Sequence, residues 1–114
     1  MRSKWGQNFL VHEPTARRIV QALGAGPSDR VLEIGPGRGA LTEHLLGGAA
    51  LTVVELDRVL AESLERRWGG RPGLTVATAD FLRWPLPERG DPPWAVIGNL
   101  PYSAAGAILR KVID

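Results

Sequence analysis

Glycines at positions 35, 37 and 39 alternate with other residues in "GPGRG", which directly follows the apolar run "VLEI". Glycine permits a tight turn and lets the backbone approach a ligand closely. A glycine-rich turn between a strand and a helix is typical of sites that bind a nucleotide-containing cofactor. The GxGxG spacing differs from the GxGxxG of NAD-binding folds, so it disfavours NAD without excluding it. The three glycines are therefore a candidate ligand-binding loop, and a merely flexible turn is the alternative.

Acidic residues end the next two apolar runs. Glu55 ends "LTVVE" twenty positions after Gly35, the spacing at which nucleotide-binding folds place an acid that accepts hydrogen bonds from ribose hydroxyls. Asp57 is a rival for this role, although it could instead cap the following helix. Asp80 in "TADF" could accept a hydrogen bond from an adenine amine, with Phe81 packing near the ring. The alternatives are a solvent-exposed charge at the end of a strand for Glu55 and a solvated turn residue for Asp80.

The segment "NLPY", residues 99–102, follows a fourth apolar run, "WAVIG". The amide of Asn99 offers both an acceptor oxygen and donor hydrogens. Pro101 restricts its own backbone and that of Leu100, and Tyr102 offers a ring that could stack on a flat base. By itself, the tetrapeptide is equally well explained as a turn that ends a strand.

The remaining pattern predicts the elements that would position these residues. Helical spacing of apolar residues predicts one helix with Thr15 as N-cap and Gly24 as its stop, and a second over Arg58–Trp68. Strands are predicted at "RVLEIG", "LTVVELD", "LTVATADF" and "WAVIG", and a further helix is predicted to begin in "SAAGAILRKVID". Strands alternating with helices imply right-handed crossovers and a parallel sheet flanked by helices. This α/β fold would bring the candidate residues to one edge.

Composition excludes several other classes of site. The 114 residues carry a formal net charge of +2 and no cysteine, which rules out disulfides, thiolate catalysis and cysteine-ligated metals. The two histidines have no partner cluster, so no metal site is expected. No apolar run is long enough to span a membrane, and the N-terminus lacks the pattern of a signal peptide. A cytoplasmic location is expected.

The motifs "KWGQNFL", "VLEIGPGRGALT", "VVELD", "TADF" and "NLPY", in this order, resemble the rRNA adenine dimethyltransferase family. That family includes the small-subunit rRNA dimethyladenosine transferases and the erythromycin-resistance methyltransferases, and "GQNFL" and "NLPY" are more similar to the former. The resemblance implies a Rossmann-like fold that binds S-adenosylmethionine and methylates N6 of adenine in rRNA of the small subunit. It implies neither a metal nor a membrane.

The resemblance also implies roles for individual residues. Asn8 and Leu10 would line the cofactor pocket, and Gly35 and Gly37 would contact the methionine half of the cofactor. Glu55 would hold the ribose, and Asp80 would bind the adenine amine. Asn99 would lie between cofactor and target, and Pro101 and Tyr102 would position and stack the target adenine.

Two other functions share some of these features. A nicotinamide-dependent oxidoreductase would use the glycine loop and Glu55, but it would leave "GQNFL" and "NLPY" unexplained. A non-catalytic RNA-binding or ribosome-assembly module could keep the whole fold. Residues 1–114 are expected to form the N-terminal part of a single methyltransferase domain that stops after the fourth strand, so the isolated chain is expected to be inactive.

Overall fold

The computed structural model describes residues 13–85, 94–98 and 108–111, which form one five-stranded sheet with helices. The spatial order of the strands is β3-β2-β1-β4-β5. Strands β1 to β4 are parallel to one another, and β5 runs antiparallel to β4. The elements in chain order are α1 (Glu13–Leu23), β1 (Arg30–Ile34), α2 (Thr42–Leu45), β2 (Ala50–Glu55), α3 (Arg58–Trp68), β3 (Leu74–Thr78), a 3-10 turn (Phe81–Arg83), β4 (Trp94–Gly98) and β5 (Ile108–Lys111).

The centre of the sheet is β1, which pairs with β2 on one side and β4 on the other. Val31 lies opposite Leu51 of β2 and Ala95 of β4, and all three side chains are buried. Apolar residues in neighbouring strands therefore point to the same face, as the pleat requires. This arrangement confirms the predicted α/β fold with a parallel sheet.

The main hydrophobic core lies on that face of the sheet. Helix α1 contributes Ala16 and Leu23, α2 contributes Leu45, and α3 contributes Leu64. Burying a leucine side chain stabilises the fold by roughly 1.5–3 kcal/mol. Helices α1 and α3 are therefore held against the strands through residues of the helical apolar patterns in the sequence. Within the described ranges, no helix combines the length and apolar character needed to cross a membrane.

The helix boundaries agree with the sequence at α3 and differ at α1. Helix α3 begins and ends where predicted, and Gly24, with φ of 68°, follows the last residue of α1. The predicted N-cap at Thr15 is wrong because α1 already begins at Glu13. Pro14 then lies in the first turn, where its missing N–H would have had no intrahelical partner anyway.

The prediction of a helix near the C-terminus is wrong for Ile108–Lys111, which forms β5. Residues 95–98 of β4 pair antiparallel with residues 111–108. An open strand edge offers unpaired N–H and C=O groups, and β5 satisfies those of β4. Tertiary pairing therefore prevails over a local pattern that fits a helix. The sheet continues past its fourth strand and is mixed at that edge.

Candidate active site

The carboxyl ends of β1, β2 and β3 meet at one edge of the sheet. The Gly35 N–H, just after β1, donates to the Val54 carbonyl of β2 at 2.9 Å. The Ala79 N–H, just after β3, donates to the Glu55 carbonyl at the same distance. Gly35, Glu55 and the segment that leads to Asp80 are therefore neighbours, as predicted. Open parallel sheets bind ligands at this edge.

The Glu55 carboxylate is buried and joined to the glycine loop. Its Oε1 accepts a hydrogen bond from the Gly37 N–H at 2.9 Å, and its Oε2 accepts one from the Asp57 N–H at 2.9 Å. Only 4% of the residue is exposed, so it is not a solvated charge at a strand end. Each carboxylate oxygen can accept more than one hydrogen bond. Glu55 therefore keeps acceptor capacity for a ligand at this edge.

Asp57, the rival acid, caps α3. Its Oδ1 accepts hydrogen bonds from the Val59 N–H at 2.8 Å and the Leu60 N–H at 3.2 Å. Such a cap satisfies two N–H groups that have no partner inside the helix. The two acids thus have different surroundings: Asp57 contacts the first turn of α3, and Glu55 contacts the glycine loop.

The three glycines of the loop also differ from one another. All three have positive φ, 64° at Gly35, 59° at Gly37 and 93° at Gly39, a conformation that other residues rarely adopt. A Cβ on Gly37 would meet no atom within 4 Å, so space is open there. A Cβ on Gly39 would lie 2.8 Å from the Trp68 ring. Gly37 thus borders free space beside Glu55, whereas Gly39 permits close packing of α3.

The end of α3 makes a second contact with the loop. The Arg67 guanidinium donates from Nη2 to the Arg38 carbonyl, and it lies over the Trp68 ring with 4.2 Å between its Cζ and the ring centroid. Arg67 and Trp68 thereby support the loop on the side of Gly39.

Sequence reasoning missed Glu33, a buried acid in the middle of β1. It is 0% exposed, its Oε1 accepts a hydrogen bond from the Thr42 hydroxyl at 2.6 Å, and its Oε2 has no partner among the described residues. Burial away from water raises the pKa of this carboxyl to about 7; the Thr42 hydrogen bond acts in the opposite direction, and the charge of Glu55 adds to the rise. One charged residue inside the apolar run "VLEIG" was the available signal.

Leu56 is a second residue that sequence reasoning missed. It directly follows Glu55 and is 50% exposed, although its side chain is large and apolar. Its position gives this edge an apolar surface next to a hydrogen-bonding carboxylate. The signal was an apolar residue placed after the strand end, between two acids.

Asp80 is half-buried and precedes the 3-10 turn that follows β3. Its carbonyl accepts a hydrogen bond from the Arg83 N–H at 2.9 Å, which fixes the start of this turn. The Phe81 ring stacks on Trp84, with 6.4 Å between ring centroids. The structure thus places Asp80 beyond β3 at the same edge as Glu55.

The other predicted site residues are Asn8, Leu10, Asn99, Pro101 and Tyr102, and they lie outside the described residues. The described part of β4 stops at Gly98, which pairs with Ile34 of β1 immediately before the glycine loop. Across the three described ranges, no group of three or more His, Asp or Glu side chains is arranged to hold a metal ion.

Comparison with known proteins identifies relatives along the whole chain. A family model described as "Ribosomal RNA adenine dimethylase" matches residues 1–114. Two curated relatives are named "Ribosomal RNA small subunit methyltransferase A". The protein of Parasynechococcus marenigrum is 44% identical over 98% of this chain and 38% of its own length, and that of Chlorobium luteolum is 46% identical over 100% and 41%. The chain therefore spans about two fifths of the length of these relatives.

Solved structures share the fold. The 23S rRNA methyltransferase ErmE superposes with a TM-score of 0.65 at 30% identity, covering 82% of this chain and 48% of that one. The glycopeptide N-methyltransferase MtfA, solved with sinefungin, superposes with a TM-score of 0.57 at 26% identity, covering 68% and 33%. Both neighbours are methyltransferases, and the fold class predicted from the sequence is confirmed.

Proposed function

Because the chain belongs to the ribosomal RNA adenine dimethylase family, we propose that it forms part of an enzyme that transfers methyl groups from S-adenosylmethionine to N6 of adenine in rRNA. The proposed product is dimethyladenosine in the RNA of the small ribosomal subunit. Residues 1–114 are proposed to be the N-terminal part of one methyltransferase domain, in keeping with the 38% and 41% of the relatives' length that they span.

The arrangement around Glu55 is the observation that carries the cofactor assignment. S-Adenosylmethionine presents a ribose with two neighbouring hydroxyl donors, and Glu55 is a buried acceptor whose oxygens are already oriented by two backbone N–H groups. Gly37, hydrogen-bonded to the same carboxylate, borders open space. In the proposal Glu55 holds the ribose, Leu56 provides an apolar contact for the adenine, and Asp80 accepts from the adenine amine. Gly35 and Gly37 contact the methionine half, with Asn8 and Leu10 completing the pocket.

Bound S-adenosylmethionine would supply a methyl group on a sulfonium, a leaving group that is already cationic. The residues of the chain would then act by alignment and electrostatics. The Asn99 side-chain oxygen and the carbonyl of Leu100 or Pro101 would accept the two hydrogens of the adenine amine. These hydrogen bonds would favour a pyramidal nitrogen whose lone pair points at the methyl group. Tyr102 would stack on the target ring, and Pro101 would fix the backbone between them.

The proposed partner is rRNA of the small subunit, and the target base must leave its stack to enter such a pocket, as in other base-modifying enzymes. A cytoplasmic location and a reaction that requires neither a metal ion nor a membrane complete the proposal. The family match supports this function over a nicotinamide-dependent oxidoreductase, which shares only the glycine loop and the acid.

Calorimetric titration of the longest available form of the protein with S-adenosylmethionine and, separately, with NADH tests the cofactor. Saturable binding of S-adenosylmethionine alone is expected, and saturable binding of NADH alone would overturn the proposal. Methyl transfer to small-subunit rRNA by the longest available form of the protein tests the reaction. Asn99→Ala and Tyr102→Ala are expected to abolish transfer, whereas rRNA binding with no transfer by the wild type would indicate a non-catalytic module.

A further inference from the structure

Glu33 links the two sides of the glycine loop. It lies in β1 before the loop, and Thr42 is the first residue of α2 after it, so their 2.6 Å hydrogen bond closes the loop at its base. Two further hydrogen bonds hold the loop from β2: Gly35 N–H to the Val54 carbonyl and Gly37 N–H to Glu55 Oε1, both at 2.9 Å. The loop conformation therefore depends on contacts with both glutamates.

The surroundings of Glu33 favour an uncharged carboxyl group. The residue is fully buried, and Oε2 has no partner among the described residues to offset the cost of burying a charge. Its neighbours across the sheet are Val53 and Ile97, both apolar. Burial raises the pKa to about 7, with Thr42 lowering it and Glu55 adding to the rise.

The other ionisable groups near Glu33 are few in the part of the chain that the structure describes. Strand β2 presents Glu55, whose charge acts on Glu33. Helix α2 carries the exposed Glu43 and the half-buried His44, and β4 carries no ionisable residue. Arg17 and Arg18 of α1 are exposed, and so are the five charged residues of α3. Arg30 belongs to β1 itself and lies over the Trp94 ring. Loss of the Glu33 proton would therefore place two negative charges, those of Glu33 and Glu55, on the same face of the sheet.

We infer that Glu33 is a positioning residue that, in its neutral form and through the Thr42 hydroxyl, holds the glycine loop in the conformation that binds S-adenosylmethionine. The inference rests on the proposed function, because it concerns the loop that would contact the cofactor. Loss of the proton leaves a buried carboxylate beside Glu55. Repulsion between the two then favours displacement of the loop that Glu55 holds through Gly37.

A pH series of calorimetric titrations of the longest available form of the protein with S-adenosylmethionine tests the inference. For the wild type, the Kd for S-adenosylmethionine is expected to be about tenfold higher at pH 8.5 than at pH 6. A rise of this size results when the pKa of Glu33 is one unit higher in the cofactor-bound protein than in the free protein. Glu33→Gln, which keeps an acceptor oxygen and stays neutral, is expected to lack this rise. The cofactor's own titration is common to both proteins and cancels in the comparison.

Thr42 provides an independent pair of variants. Thr42→Val keeps the shape and removes the hydroxyl, so weaker binding is expected at every pH, whereas Thr42→Ser is expected to restore wild-type affinity. Circular dichroism before each titration identifies a variant that has failed to fold. If a variant at Glu33 or Thr42 fails to fold, the positioning role is tested with the variants of the other residue.

The outcomes separate the two proposals. Wild-type and Glu33→Gln profiles of the same shape would overturn the positioning role alone. Wild-type binding that becomes tighter as pH rises would also overturn it, because it would show a carboxylate that attracts the positive cofactor directly. Absence of wild-type binding at every pH would overturn the proposed function itself, and the positioning role with it.

Discussion

Glu33 and Glu55 are two buried acids on the same face of neighbouring strands, and their hydrogen-bond partners make them different groups. Glu33 has one hydroxyl partner and an oxygen without a partner among the described residues, whereas Glu55 has a backbone N–H on each oxygen. Backbone N–H groups can only donate, so those on Glu55 orient a carboxylate. A threonine hydroxyl can donate or accept and therefore tolerates a neutral acid.

The comparison shows that the partners of an acid, more than its place in a strand, determine its use. Glu55 has orienting donors and spare acceptor capacity at the open edge of the sheet, which suits a ligand with hydroxyl groups. Glu33 is enclosed and is suited to hold the protein's own loop. The loop between them connects the two acids, because Gly37 bonds to Glu55 and Thr42 bonds to Glu33.

The largest expected difference between the two acids is in the pH dependence of stability. The pKa of Glu33 is about 7 in the folded chain and 4.5 in the unfolded chain. The contribution of Glu33 to the free energy of unfolding is therefore fully present below pH 4.5 and is lost as the pH rises from there through about 7. At 1.36 kcal/mol per pKa unit, the loss is about 3 kcal/mol. Urea unfolding from pH 4 to 8.5 should show this fall in the wild type relative to Glu33→Gln.

The same series with Glu55→Gln is the matched control, and the Glu33-dependent fall should persist in that variant. If the free energies of unfolding of wild type and Glu33→Gln run parallel over this range, Glu33 does not hold its proton in the folded chain, and the contrast between the two acids is lost.

Cofactor affinity at pH 6 should depend more on Glu55 than on Glu33, the reverse of the order expected for stability. Glu55→Gln is expected to raise the Kd for S-adenosylmethionine by about 10- to 100-fold, because hydrogen bonds to a charged group contribute roughly 1.5–3 kcal/mol. Glu33→Gln is expected to stay close to the wild type at this pH, where the native residue is neutral. Calorimetry measures both, and a larger loss in Glu33→Gln would reverse the assigned roles.

The second and third glycines of the loop, Gly37 and Gly39, should also respond differently. Alanine at either Gly37 or Gly39 forces a non-glycine residue into positive φ, at a cost of about 1–2 kcal/mol. Gly39→Ala adds a clash with Trp68, so we expect a further loss of about 1–3 kcal/mol in the free energy of unfolding. Equal losses in the two variants, measured by urea unfolding, would show that Trp68 does not pack on Gly39.

The smallest expected effect concerns the rival acid. Asp57→Ala removes the N-cap of α3 and should cost about 1 kcal/mol of stability. Asp57→Asn keeps a capping oxygen and should restore most of it, and neither variant should change cofactor affinity as strongly as Glu55→Gln. A loss of affinity in Asp57→Asn equal to that in Glu55→Gln would transfer the ribose role to Asp57.

Much of the fold and part of the site could be predicted from the sequence because periodicity and spacing are local features. The alternating runs predicted the parallel strands and α3, and the interval from Gly35 placed Glu55 beside the loop. Glu33 was missed because a one-dimensional pattern does not show which oxygen of a buried acid has a partner. The edge strand β5 was missed because its pairing depends on the open edge of β4, which exists only once the sheet has formed.

The central claim is that Glu55 binds the ribose hydroxyls of the cofactor, and a cycle of ligand and protein changes tests it most directly. Calorimetry would compare S-adenosylhomocysteine with its 2′-deoxy analogue, in the wild type and in Glu55→Ala. The wild type is expected to prefer the ligand with the 2′-hydroxyl by about tenfold, as removal of one hydrogen bond to a charged group predicts. Glu55→Ala is expected to bind both ligands equally. An undiminished preference in Glu55→Ala would contradict the account.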